Sequence, residues 1–157
     1  MPDAIVKRYL ALDVGSRRIG VAVSDELGLT AQPVLTLVRR SSRREDLRSL
    51  ARLARKYAVA GIVIGNPVRL DGAESPQTAK VHAFAAELGE LTELPIHLWD
   101  ERLTTREAHR ILYEAGHKRQ RHRQVVDQVA ATLILQSFLD EREGSGGRDR
   151  GLEPGTL

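Results

Sequence analysis

Three acidic positions in this chain are placed to do chemistry together. Asp13 closes the apolar run Tyr9-Leu10-Ala11-Leu12, the pair Asp100-Glu101 closes Ile96-His97-Leu98-Trp99, and Asp127 heads an apolar helical stretch that reaches Leu139. Carboxylates at the ends of separate elements meet only if the fold brings those ends together. If they meet, they repel one another and attract divalent cations. A carboxylate cluster holding Mg²⁺ or Mn²⁺ beside basic surface is the apparatus for hydrolysing phosphodiester bonds. Each acid alone has an ordinary explanation: a turn aspartate for Asp13, and favourable charge at a helix N-terminus for the others. Their joint occurrence is what points to catalysis. Side chains alternate along a strand, so Asp100 and Glu101 start on opposite faces and only one can easily reach Asp13.

Basic residues gather near these acids. The segment His117-Lys118-Arg119-Gln120-Arg121-His122-Arg123 leads directly into the helix that bears Asp127. Loops beside a site are where binding residues collect, so Lys118, Arg119, Arg121 and Arg123 are candidates for phosphate contact. Arg17 and Arg18 beside Asp13, Arg69 in the loop before Ser75, and Arg102 next to Glu101 complete the nucleic-acid-binding set. His117 and His122 could ligate metal, but a histidine in a polar loop is more often simply solvated. Arg44, Arg48, Arg52 and Arg55 recur on one helix face opposite the leucines, and there a solvated face is the default reading. Aromatic residues make up only 4% of the chain, so backbone and shape recognition fit better than base stacking.

The elements that must position these groups can be read from period and punctuation. Three strands come first: Tyr9 to Asp13, Ile19 to Asp25 and Pro33 to Val38. The short gaps between them contain Gly15 and Gly28, as hairpins require. Gly15 is expected to supply the positive φ of a tight turn, and Gly20 to permit close approach of backbone or ligand. A helical stripe follows from Arg43 to Tyr57, then a fully apolar strand from Gly61 to Gly65. Ser75-Pro76 opens a helix, with serine as cap and proline at the first helical position. A strand runs from Ile96 to Trp99. Thr104 and Glu107 form a capping box for a helix ending near Ala115-Gly116. The last helix runs from about Val125, with Asp127 near its start, to Leu139. Its stripe of Asp127, Ala130, Ala131, Ile134 and Phe138 would leave the acid half-buried. Antiparallel strands first, then parallel strands linked by crossover helices, predict an α/β fold with a mixed five-stranded sheet flanked by helices.

A chain of 157 residues with 41% hydrophobic composition suits one domain with its own core, expected over residues 1–142. Residues 143–157 are rich in glycine and charge and read as a disordered tail. The N-terminus lacks a signal-peptide pattern, no run approaches a membrane span, and there is no cysteine, which fits a cytoplasmic protein with no membrane partner. The net charge of +3 leans towards polyanionic partners.

The segments Ala11-Leu-Asp-Val-Gly-Ser-Arg-Arg-Ile-Gly-Val-Ala-Val-Ser-Asp25, Ile64-Gly-Asn-Pro-Val-Arg-Leu-Asp-Gly72, Asp100-Glu-Arg-Leu-Thr-Thr105 and Asp127 to Leu139 resemble the YqgF/RuvX family of the RNase H-like superfamily. The likeness covers roughly residues 8 to 142, and these motifs in this order are specific. It implies the RNase H-like sheet and a metal-dependent nuclease linked to maturation of the 5′ end of precursor 16S rRNA, or, for some members, to branched DNA. It also implies that Asp13, Asp100, Glu101 and Asp127 carry the catalytic metal site. One departure is Asn66, where the family loop usually reads Gly-Leu-Pro.

In chemical terms, such a site would hold two Mg²⁺ or Mn²⁺ ions bridged by Asp13, one activating water and the other stabilising the leaving 3′ oxygen. The expectation is therefore a nuclease acting on precursor rRNA, as monomer or homodimer. A dimeric endonuclease for Holliday junctions and a non-catalytic nucleic-acid-binding protein are the alternatives. An actin-like ATPase would need a second Asp-Gly phosphate hairpin and a longer chain.

Overall fold

The computed structural model describes residues 7–40, 42–67, 71–101 and 123–148. Five strands form one sheet: β1 (Tyr9–Val14), β2 (Arg18–Ser24), β3 (Ala31–Val38), β4 (Gly61–Asn66) and β5 (Ile96–Asp100), in the spatial order β3-β2-β1-β4-β5. The first three pair antiparallel, while β4 joins β1 and β5 joins β4 in parallel. This is the mixed sheet that the change of period predicts. Among the described residues three helices accompany it: α1 (Arg43–Lys56), α2 (Pro76–Thr92) and α3 (Arg123–Arg148). Ser75 caps α2 in a reciprocal capping box with Thr78, and Pro76 opens it. None of these helices is long and apolar enough to cross a membrane.

Strand alternation divides the core into two layers. Leu10, Leu12 and Val14 of β1 face α1 and α2, together with Ile62, Ile64, Leu50, Phe84 and Leu88. Tyr9 and Ala11 face the other way, onto Ala131, Ile134, Leu135 and Phe138 of α3. Parity therefore sends Asp13 to the α3 side of the sheet. Aromatic edges and polar bonds hold α3 in place. Phe138 meets Tyr9 and Trp99 edge-on at 5.3 and 5.5 Å between ring centres, and Trp99 Nε1 donates to Ser137 Oγ at 3.1 Å. Gln136 spans to the β2–β3 turn, accepting from Ala31 N and donating to Leu29 O.

Two local expectations are corrected. Gly15 does not adopt positive φ; among the described glycines only Gly28 and Gly72 do. Gly15 is needed for a different reason: a Cβ there would lie 2.9 Å from the Arg18 carbonyl oxygen, to which its own N–H donates across the turn. The last helix is also longer than its apolar pattern. It begins at Arg123, two residues before the expected Val125, so Asp127 lies in its second turn, and it continues to Arg148, past the expected Leu139. Once a helix is nucleated and anchored by packing, it propagates through residues with no apolar stripe to announce them. The helix expected between Thr104 and Ala115, the loop residue Arg69, Arg102, and His117 to His122 lie outside the described residues.

Candidate active site

Asp13 is the penultimate residue of β1, and both strands beside it contribute a glycine. On the β2 side its register partner is Gly20. On the β4 side Leu12 pairs with Ile64, so the next residue, Gly65, lies alongside Asp13. Each glycine makes room for a second acid. An ideal Cβ on Gly20 would lie 2.0 Å from the backbone oxygen of Asp127 and 2.5 Å from its carbonyl carbon. An ideal Cβ on Gly65 would lie 2.6 Å from Glu101 Oε2 and 2.8 Å from Ile134 Cδ1. Asp127 thus reaches Asp13 across one bare strand position, and Glu101 reaches it across the other.

The electrostatics record this convergence. Burial, followed by the charges of Glu101 and Asp127 and a side-chain hydrogen bond with Glu101, raises the Asp13 carboxyl from 3.8 to about 7. Asp127 is met by a cation: Arg18 Nε donates to its Oδ2 at 2.5 Å, linking residues 109 apart in sequence. Both side chains are only partly exposed, so the pair neutralises one of the three acids where solvent screening is reduced.

The two adjacent acids at the end of β5 are separated by parity. Trp99 packs with the α3 layer and Ile96 with the α1–α2 layer. Glu101 continues the Trp99 side, and Glu101 is the acid that bonds Asp13. Asp100 belongs to the other side of the strand, beside Asn66. Of the four acids expected here, the fold gathers Asp13, Glu101 and Asp127, while alternation along β5 sets Asp100 on the other side of the strand. Among the described residues, no three acidic or histidine side chains are grouped to hold a metal as they stand. Asp127 is turned to Arg18, and Glu101 to Asp13.

The other expected residues divide. Arg18 lies inside the site as the partner of Asp127, not at its rim. Arg17 is exposed on the adjoining turn. Arg123 is the first residue of α3. Arg44, Arg48, Arg52 and Arg55 are exposed along α1, the solvated face that was expected. Asn66, the departure from the family loop, pairs its side-chain oxygen with His82 Nε2 at 3.1 Å. Sequence reading missed Gly65 as a seat for Glu101. The signal was present: a glycine in an otherwise branched apolar strand marks a close approach.

Gly65→Ala should therefore impair the site more than the fold. The three atoms that the new methyl would meet all belong to the side chains of Glu101 and Ile134 and none to the backbone, so the sheet can persist while Glu101 swings off Asp13. Cleavage is expected to fall about 10²-fold, the scale set by a 1 Å misplacement, with a thermal midpoint within a few degrees of the parent. Equal loss of folding and activity would show that Gly65 serves the core instead.

A family model described as RuvX, Holliday junction resolvase, matches residues 7–141. A protein of Moorella thermoacetica is 51% identical over 140 residues, covering 89% of this chain and 99% of its own length. One of Koribacter versatilis is 47% identical over 141 residues, covering 90% and 92%. Both bear the provisional name of pre-16S rRNA nuclease. Among solved structures, Thermus thermophilus RuvC in complex with a Holliday junction substrate superposes with a TM-score of 0.57 at 12% identity, covering 88% of this chain and 97% of that one. That likeness establishes the RNase H-like fold.

Proposed function

The chain belongs to the RuvX family, and from that premise we propose that it is a divalent-cation-dependent nuclease that hydrolyses phosphodiester bonds in structured RNA, with precursor 16S rRNA as substrate. One observation carries the reading: Glu101, just past β5, and Asp127 of α3 converge on the buried Asp13 of β1, whose carboxyl is raised to about 7 by burial first and by their two charges next. Such a cluster contributes little to stability and costs charge repulsion, so its use is chemical.

The donor set suits the cation. Carboxylate oxygens are hard ligands, appropriate to Mg²⁺ or Mn²⁺, and Asp13, Glu101 and Asp127 would hold it. When bound, the cation supplies Lewis-acid stabilisation of the negative charge that builds on the phosphoryl oxygens. The rest falls to the chain. Asp13 gives up the proton it retains up to about pH 7. To hold the cation, Glu101 and Asp127 would turn from their present partners, Asp13 and Arg18. Arg18, released from Asp127, can donate to a non-bridging phosphate oxygen in a charge-assisted bond. Arg17, Arg69, Arg102 and the segment from Lys118 to Arg123 would hold backbone phosphates to either side. Asp100 takes no part.

The test is purified protein on a precursor 16S rRNA fragment and on a four-way DNA junction, with Mg²⁺ or EDTA and with Asp13→Asn as control. The RNA should be cut only with metal and only by the parent. Neutralising Lys118, Arg119, Arg121 and Arg123 should flatten the salt dependence of binding by roughly one unit of slope per lost contact. The family description favours a second reading, a resolvase for branched DNA. Junction cleavage by a stable dimer, with the RNA left intact, would put that reading in place of the first. Cleavage surviving both EDTA and Asp13→Asn would come from a contaminant and would remove the proposal's support.

A further inference from the structure

A second cavity opens at the same end of β1, on the opposite face of the sheet. It has a volume of about 430 Å³, within the range of ligand-sized pockets, and Val14, Arg39, Arg43, Gln77, Lys80 and Phe84 line it. Val14 directly follows Asp13, and alternation sends the two side chains to opposite faces from Cα positions about 3.8 Å apart. The cavity therefore begins where the carboxylate site ends, around the turn at Gly15.

Its chemistry is cationic and partly pre-set. Arg39 lies over the buried Phe84 ring, 5.2 Å from its centre, with its Nε donating to Asp46 at 3.1 Å and an Nη to the Gly15 carbonyl at 2.9 Å. A guanidinium held on three sides loses little further freedom when it meets an anion. Asp46 is 1% exposed and is committed to Arg39 and to the Arg40 N–H, so it offsets the Arg39 charge and leaves Arg43 and Lys80 as the cations of the lining. Arg43 makes an exposed bridge to Glu87, of the kind that contributes little and exchanges readily. Lys80 has no acidic partner among the described residues. The first turn of α2, which bears Gln77, contains no acid, so the positive end of that helix dipole is uncompensated by its own side chains. Cationic side chains, an amide and a helix start around one hollow select a phosphate ester. Among the described residues of the lining the ring is that of Phe84, which is buried and covered by Arg39, so none of them offers a free nucleotide's base a face to stack on. What the cavity can grip is phosphate and sugar.

We propose that the cavity lined by Arg39, Arg43, Gln77 and Lys80 seats the backbone of a nucleotide adjoining the one cut at Asp13, as a second anchor for a strand that rounds the end of β1. This rests on the nuclease reading, and its test is independent of cleavage. Full-length Asp13→Asn protein would be titrated into a short fluorescein-labelled single-stranded RNA over a range of salt concentrations. Lys80→Gln, at an exposed position, should weaken binding about fivefold to tenfold and reduce the salt slope by about 0.7, the increment for one phosphate contact on a single strand. Gln77→Trp, which fills the hollow without removing charge, should weaken binding too, and in otherwise unaltered protein both changes should raise KM for RNA. Parent-like affinity and slope in both variants would overturn the proposal. So would displacement of the RNA by AMP at concentrations comparable to the RNA's own Kd, since that would make the occupant a free nucleotide. RNA binding that depends on Lys80 in a protein that never cuts would leave the cavity standing and remove the nuclease reading. Cleavage that is indifferent to Lys80 would do the reverse.

Discussion

Gly20→Ala is expected to displace α3 and abolish activity. The added methyl would lie 2.0 Å from the Asp127 carbonyl oxygen, 2.5 Å from its carbon and 3.2 Å from its Cα, all backbone atoms of one helix turn. No rotamer change relieves such a contact. Either α3 lifts from the sheet or β1 and β2 lose their register. Lifting α3 uncovers Tyr9, Ala11, Ala22 and Val63, which pack against its apolar face. The cost should be about 3 kcal/mol or more, at the upper end for overpacked cores. Even a partial shift would draw Asp127 away from Asp13, and 1 Å of misplacement is enough for about 10²-fold in rate. Denaturant unfolding and cleavage of the precursor RNA would measure both. Parent stability and parent activity together would mean that Asp127 does not sit on Gly20.

Asp13→Asn should do the opposite to the fold while removing the chemistry. Cleavage should fall by at least about 10²–10³-fold, as expected when the group that organises transition-state charge stabilisation is lost. Metal-free stability should rise, with a definite pH dependence. The folded protein holds the Asp13 proton up to about pH 7, whereas an unfolded chain releases it near 3.8. Between those values the native state binds the extra proton, so parent stability declines as pH rises through this window and levels off above it. The asparagine variant lacks this decline. It should therefore match the parent near pH 4 and exceed it at pH 8 by a few kcal/mol, on the order expected for a shift of this size. Thermal melts in EDTA at the two pH values decide the matter: a variant less stable than the parent at pH 8 would make Asp13 a structural acid. The same proton competes with cation, so Mg²⁺ affinity of the parent should fall as pH drops below about 7.

Much of this architecture is written in local pattern. The five strands begin and end within one or two residues of where alternation and apolar runs place them, and Ser75-Pro76 marks the start of α2. Mixed pairing follows from short glycine-bearing gaps among β1, β2 and β3 and from long helical crossovers after them. The acid at the end of β1 was legible for the same reason: Asp13 interrupts an otherwise apolar strand. The start of α3 was not, because Arg123-Gln124 carries neither a cap nor an apolar periodicity. The choice between Asp100 and Glu101 was closed to sequence too. His97, Leu98 and Trp99 give β5 large side chains on both faces, so alternation has no apolar side to declare.

The amino-acid sequence by itself determined the order of the described strands and helices and the candidate acids, since each depends on neighbours a few residues apart. Only the tertiary structure decided that Glu101 and Asp127 meet at Asp13, that Arg18 faces Asp127, and that Gly20 and Gly65 are the gaps through which the two acids enter. Those are contacts between residues far apart in the chain, made by stacking a helix on a sheet in one particular register. No local periodicity encodes them. They follow from which faces are bare enough to let backbones approach, and that becomes a fact only when all five strands and α3 are in place.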